Sequence, residues 1–291
     1  MTAAATNIAA REDVRALIAM ALAEDVGQGD VTTLSLVDER ARITAELLAR
    51  EPCVVCGSQV AAAVFATVDA GVECEPLTSD GRRAAAGEVV MRVRGPARGI
   101  LTAERTALNF MQRLSGIATL TARFVAAVGD SGVMILDTRK TTPGFRALEK
   151  YAVRCGGGSN HRMGLYDRVL IKDNHRRLWG GGDPLALDAA IREARRRFPE
   201  VPVEIEVESE DELRTALSES PDWILLDNMG PDALRRCVTI CGGRSRLEAS
   251  GGITLESIAG VATTGVDAVS LGCLTHSAPS VDLSLEIGHA G

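Results

Sequence analysis

The segment 137–162, DTRKTTPGFRALEKYAVRCGGGSNHR, holds Arg139, Lys140, Arg146, Lys150, Arg154 and Arg162 against only Asp137 and Glu149, in a 291-residue chain of formal charge −7. Guanidinium groups match carboxylate and phosphate oxygens in pairs and lysines act as point charges, so this set suits a small, strongly anionic ligand. His161 and Lys172 extend it. Glu206 and Asp227 are out of place beside so many cations unless they have a use. They could hold a divalent metal, accept hydrogen bonds from sugar hydroxyls, or stabilise a developing cation. Ser250-Gly251-Gly252 and Gly272 offer turns where backbone N–H groups approach an anion closely. Polyanion, phosphate, sugar and carboxylate together suggest a phosphorylated sugar donor meeting an acidic acceptor.

The elements that must position these residues are six short apolar runs: 133-VMILDTRK-140, 169-VLIKDN-174, 203-VEIEVE-208, 223-WILLDN-228, 246-RLEASGG-252 and 267-DAVSLG-272. Apolar strands alternating with helices imply a parallel sheet, and six strands are two short of an eightfold barrel. The spacing predicts an incomplete α/β barrel over 116–277. Ligands of such folds bind at the carboxyl ends of the strands, where these runs deliver Thr138-Arg139-Lys140, Lys172, Glu206, Asp227, Ser250 to Gly252, and Gly272. Residues 1–115 have another texture: a helix from Arg11 to Asp25, then extended candidates at 42–51, 53–57 and 88–95. They predict a small α+β domain with an antiparallel sheet, with the tail 278–291 packing back on it. The stretch 101–129 reads as one long helix, with a break expected at Gly116.

Composition removes several classes. Aromatics are 3% of the chain, too few for base-stacking platforms, and the acidic balance argues against nucleic-acid binding. The longest apolar run, 60–68, is too short to span a bilayer, and the N-terminus has no secretory pattern. A cytoplasmic protein is expected. Seven scattered cysteines suit a reducing compartment, and Cys53-Val-Val-Cys56 reads as small buried hydrophobes. Lys150 and Arg154 are expected on a solvated helix face. The 156-GGGSNHR-162 run is not a P-loop, since no Lys-Ser/Thr follows it. His175 and His289 read as surface or structural positions. Arg105 shares a helical stripe with Asn109, Gln112 and Gly116, the wet side of an amphipathic helix.

The segments 104-ERTALNFMQRLSGIAT-119, 137–165, 170-LIKDNH-175, 222-DWILLDN-228, 248-EASGGI-253 and 265-GVDAVSLGCLTHS-277 resemble those of quinolinate phosphoribosyltransferase, from the 29-GDVTT-33 turn almost to the end. The loop 176-RRLWGGGDPL-185 and the first ten residues fall outside the match. The resemblance implies an N-terminal open sandwich beside an incomplete α/β barrel. It also implies transfer of phosphoribosyl from phosphoribosyl pyrophosphate (PRPP) to quinolinate with Mg²⁺, giving nicotinate mononucleotide, pyrophosphate and CO₂. By its motifs Arg139, His161 and Arg162, with Thr138, would hold the quinolinate carboxylates. Lys140 and Lys172 would serve carboxylate and phosphates. Glu206 and Asp227 would lie near ribose and metal. Ser250, Gly251, Gly252, Leu271, Gly272 and Cys273, with His276 beside them, would form the phosphate loops. The family works as dimers or multiples of dimers, and Arg105 matches the arginine that reaches into the neighbour's site.

Three rivals remain at this level. A divergent relative would take another acid, such as nicotinate, although a monoacid would leave part of the Arg139, His161 and Arg162 set unpaired. A non-catalytic anion-binding protein would be expected to lack the acids, yet Glu206 and Asp227 are present. A nucleic-acid binder ranks last.

Overall fold

The structure is a computed structural model that describes residues 7–179 and 187–288. The chain forms two compact units: Met1–Ala122 with Thr141–Gly157 and Leu274–Gly291, and Arg123–Lys140 with Gly158–Cys273. The segment 137–162 is therefore divided. Arg139, Lys140 and Arg162 belong to the second unit, and Arg146, Lys150 and Arg154 to the first.

In chain order the strands are β1 (Arg42–Ala49), β2 (Cys53–Val54), β3 (Glu73–Pro76), β4 (Arg83–Ala84), β5 (Val89–Pro96), β6 (Met134–Leu136), β7 (Val169–Ile171), β8 (Val203–Val207), β9 (Trp223–Asp227), β10 (Arg246–Ser250), β11 (Ala268–Ser270) and β12 (Leu283–Ile287). The principal helices of the first unit are α1 (Glu12–Val26), α2 (Val31–Leu36), α3 (Ser58–Val68), α4 (Ala97–Val128, whose last turns enter the second unit) and α5 (Arg146–Cys155).

The first unit is built on an antiparallel sheet of order β12-β1-β5-β3, with β2 and β4 paired beside it. Residues 45, 47 and 49 of β1 are fully buried while their neighbours are more open, the period-2 pattern of a strand with one face on a core. Val14, Leu17, Ile18 and Leu22 bury one stripe of α1. The 29–33 turn is a helix start: the Asp30 carboxylate accepts from Thr33 N at 3.0 Å and caps α2.

Three expectations fail here. The long helix α4 runs unbroken through Gly116. A Cβ at Gly116 would lie 2.0 Å from the Pro279 carbonyl oxygen, so glycine is needed for close approach of the C-terminal segment, not for a break. Gln112, expected on the wet stripe, instead donates from Nε2 to Leu283 O at 2.9 Å, and Val281 N donates to Gln112 O at 3.2 Å. Lys150 also departs from its expected solvated face, being 1% exposed, whereas Arg154 is exposed as expected. Helix α5 buries Leu148, Glu149, Lys150, Ala152 and Val153, more than half its circumference, so the four-residue spacing of Lys150 and Arg154 does not define a wet face.

The second unit is a six-stranded parallel sheet of order β6-β11-β10-β9-β8-β7. That is the order of a ring cut between its first and second strands, and among the described residues no pairing joins β6 to β7. The fold is thus an antiparallel α+β part with an incomplete parallel α/β barrel, as the sequence predicts. Every residue of β8 is buried, as in a parallel sheet covered on both faces. Residues 176–179, read as loop, continue a helix Asp173–Trp179. His289 and the rest of that loop lie outside the described residues.

Candidate active site

Parallel register decides which side chains share a face, because directly opposite residues point the same way and successive ones alternate. Leu170 pairs with Glu204, Glu206 with Leu225, Asp227 with Ser250, Glu248 with Ala268, and Ser270 with Leu136. One face of the sheet is therefore layered. Met134, Leu136, Trp223 and Ala268 pack into an apolar floor, with the Arg168 and Arg246 guanidiniums 5.3 and 5.4 Å from the Trp223 ring centre. Above the floor lie Glu204, Glu248 and Ser270. At the carboxyl ends come Lys172, Glu206, Asp227 and Ser250.

The rim contains four groups of contacts. Lys172 Nζ is 2.7 Å from Glu206 Oε2, and the Lys172 amide donates to His175 Nδ1 at 2.9 Å, which gives exposed His175 its structural role. Asn228 Nδ2 donates to Asp227 Oδ2 at 2.7 Å, while Asn228 N donates to Ser250 O at 2.9 Å with Asn228 at φ +55. This contact explains Gly251: its φ is +97, and a Cβ there would stand 2.2 Å from Asn228 Oδ1. Gly252, at φ +62, has open space beside it. Leu271 N donates to Leu136 O at 2.9 Å, so that amide is committed to the sheet, whereas Gly272 and Cys273 are half-buried. Lys140 is exposed, its amide held by Thr138 Oγ1 at 3.0 Å.

Beside β6 the loop 158–162 is held by Asp137, which is fully buried. Its carboxylate accepts from His161 N at 2.9 Å and Asn160 Nδ2 at 2.5 Å, and Ser159 N donates to Ile135 O at 2.7 Å. Arg162 is nine-tenths buried and donates from Nη1 to Arg168 O at 3.1 Å. Burial, and after it the nearby Arg139 guanidinium, push the Arg162 pKa down. An anion bound beside Arg162 would offset both the burial of its charge and the nearby like charge.

His161 is the centre of a buried network. Its Nε2 is 3.0 Å from Glu204 Oε2 and 3.4 Å from Glu248 Oε2, and Arg162 N donates to its Nδ1 at 2.7 Å. Burial lowers the imidazole pKa, but the hydrogen bonds and charges of the two glutamates outweigh it and raise it to about 9. An imidazolium would turn Nδ1–H toward the Arg162 amide, so that amide bond opposes protonation. The two carboxylates and the Arg162 amide thus act on the ring in opposite senses. Burial and the Glu204 charge raise Glu248, whereas His161 and Arg168 hold Glu204 down against burial. Arg168 Nη1, 3.1 Å from Glu204 and 3.3 Å from His161 Nε2, already supplies positive charge, so this trio has no need of a metal.

Of the predicted site residues, Thr138, Arg139, Lys140, His161, Arg162, Lys172, Glu206, Asp227, Ser250, Gly251, Gly252, Leu271, Gly272 and Cys273 belong to the second unit. Arg105, exposed on α4, and His276, exposed with Nδ1 2.5 Å from Ser277 Oγ, belong to the first. Sequence reasoning missed Asp137, Arg168, Glu204, Asn228 and Glu248. The acids at alternate positions of 203-VEIEV-207, in a strand expected to be buried on both faces, were a signal for Glu204.

A family model described as the C-terminal domain of quinolinate phosphoribosyl transferase matches residues 117–286, and one for the N-terminal domain matches residues 30–115. The chain is 43% identical over 285 residues to the nicotinate-nucleotide pyrophosphorylase (carboxylating) of Mycobacterium leprae, covering 96% of this chain and 97% of that protein. It is 39% identical to the chloroplastic protein of that name from Oryza sativa subsp. japonica, covering 94% and 78%. The solved nicotinate-nucleotide pyrophosphorylase from Francisella tularensis superposes with a TM-score of 0.90 at 38% identity, covering 98% of each chain. The chain belongs to the quinolinate phosphoribosyltransferase family of enzymes.

Proposed function

We propose that the chain transfers phosphoribosyl from PRPP to quinolinate and decarboxylates the product, giving nicotinate mononucleotide, pyrophosphate and CO₂ in NAD biosynthesis. What supports this reading is the family match over nearly the whole chain, together with a nine-tenths-buried Arg162 whose charge an anionic acceptor would balance. In the proposed reaction the ring nitrogen of quinolinate attacks C1′ as the C1′–O bond breaks toward pyrophosphate. Glu206 and Asp227 face the developing oxocarbenium charge, a differential stabilisation that accelerates transfer. Ribosylation makes the ring nitrogen cationic, so the electron pair left at C2 by departing CO₂ is stabilised without a strong base. Lys140 and Lys172 would neutralise carboxylate and phosphate charge, and the 250–252 turn, with Gly272 and Cys273, would receive the phosphate.

Magnesium fits the donors. Glu206 and Asp227 point to one face from adjacent strands, and Mg²⁺ characteristically takes one or two carboxylates together with substrate phosphates. When bound there it would neutralise charge on the leaving pyrophosphate. Arg105 is proposed to serve the site of a second copy in a homodimer, or in a higher multiple of dimers. A cytoplasmic location belongs to the same proposal; no helix among the described residues is long and apolar enough to cross a membrane.

The test is incubation of purified protein with PRPP, Mg²⁺ and either quinolinate or nicotinate, following CO₂ and the nucleotide. CO₂ and nicotinate mononucleotide from quinolinate alone are expected. Product from nicotinate instead would overturn the acceptor assignment while leaving the PRPP site in place.

A further inference from the structure

Outside the site just described, one cluster of ligating side chains in the first unit has no part in that chemistry. Cys56, Asp80 and Cys155 bring two sulfurs and a carboxylate oxygen within 4.8 Å of one another. We propose that these three residues form a binding site for a soft divalent cation of the zinc class, with the Tyr151 hydroxyl at its edge.

Three features support the assignment. The ligands are held from behind, as metal ligands are. The Asp80 carboxylate accepts from Gly57 N at 2.9 Å, Ser58 N at 3.1 Å and Tyr151 OH at 2.8 Å. The Cys56 backbone is clamped by Ser115, whose Oγ accepts from Cys56 N at 2.9 Å and donates to Cys56 O at 3.1 Å. Secondly, the groups are all acids crowded together. A divalent cation would displace the thiol protons and balance the charge of the ligands that result. Thirdly, Cys56 is buried but Cys155 and Asp80 are partly exposed, which gives an entry path. Two thiolates with one carboxylate select zinc-class ions over Mg²⁺ or Ca²⁺, and three protein ligands leave a fourth position for water or Tyr151.

The test uses the full chain, reduced, freed of metal by a chelator, and titrated with Co²⁺ alone. Expected are one Co²⁺ per chain, a thiolate-to-cobalt charge-transfer band, displacement by Zn²⁺, and proton release on binding. Cys155→Ser and Cys56→Ser should each weaken binding by about 100-fold or more and abolish the band, judged from the scale of coordination-sphere losses. Cys74→Ser, a half-buried cysteine elsewhere, should change neither. Circular dichroism shows whether each variant is folded, and the partly exposed Cys155 keeps the test usable if Cys56→Ser unfolds. Three results would overturn the site: no band, a band that survives in folded Cys155→Ser, or thiol counts showing Cys56 and Cys155 joined as a disulfide in the protein as isolated. None depends on phosphoribosyl transfer, so failure here leaves the proposed reaction untouched.

Discussion

Arg162 presents a planar fork that a lysine cannot reproduce, and it is nine-tenths buried beside a second guanidinium. Arg162→Lys should therefore lower kcat/KM for quinolinate by roughly 10- to 100-fold, the loss of about 1.5–3 kcal/mol for a charged hydrogen bond. The KM for PRPP should stay near its original value; an equal rise in both would assign Arg162 to general site structure. His161 gives a stability signature. Its pKa rises from 6.5 unfolded to about 9 folded, so its contribution is complete below pH 6.5 and is lost as pH climbs to 9. Glu248, also raised, acts in the same direction, while Glu204, lowered, loses its contribution only on the acid side. The Arg162 amide bond to Nδ1 opposes this contribution and reduces it. The urea midpoint should fall between pH 6.5 and 9 in the native chain and stay flatter in His161→Gln; parallel curves would contradict the network. The cationic residues could be read from the sequence because charge is a property of residue type. Their partners could not: Glu204 and Glu248 look like any acids until the register turns them inward beneath the rim.

At the scale of elements, two glycines carry positions that other residues cannot fill. Alanine at 116 gains up to about 1 kcal/mol of helix propensity, but its Cβ would meet the Pro279 carbonyl at 2.0 Å. Gly116→Ala should therefore be a net loss of about 2 kcal/mol or more, read as a lower urea midpoint, because the segment leading into β12 must move away. Were it stabilising, propensity would outweigh packing and the close approach would not constrain the fold. Gly251→Ala should cost about 1–3 kcal/mol through its left-handed φ and the Asn228 contact. If the 250–252 turn receives phosphate, it should also raise the KM for PRPP more than that for quinolinate. The six parallel strands were legible because each is a short apolar run ending in a polar or glycine residue, and all six form where the sequence puts them. The misread elements have one cause. Gly116, Lys150 and Arg176–Trp179 were judged from local signals, a helix breaker, a charge stripe and a glycine loop, whereas tertiary packing or helix continuation sets each of them.

On the scale of the whole molecule, the residues proposed for chemistry are not drawn from one unit. The barrel strands supply Lys172, Glu206, Asp227 and Ser250, while Arg105 stands exposed on α4 in the first unit. Exposure is ordinary for an arginine, so the proposed role of Arg105 in a second copy rests on the 104-ERTALN-109 motif and needs its own test. A symmetric dimer in which each copy lends Arg105 to the other has a consequence that no single-chain site shares. Arg105→Ala and Lys140→Ala chains should each be nearly inactive as homodimers. In a mixed dimer both defects fall in one site and the other site is intact. An equal mixture that exchanges subunits freely should thus recover about a quarter of the native activity, since half the dimers are mixed and each of those has one good site. The same mixture should fall back when the subunits are separated again. Exchange demonstrated by differently tagged chains, with activity no higher than the sum of the two variants, would mean that Arg105 acts within its own chain or not at all.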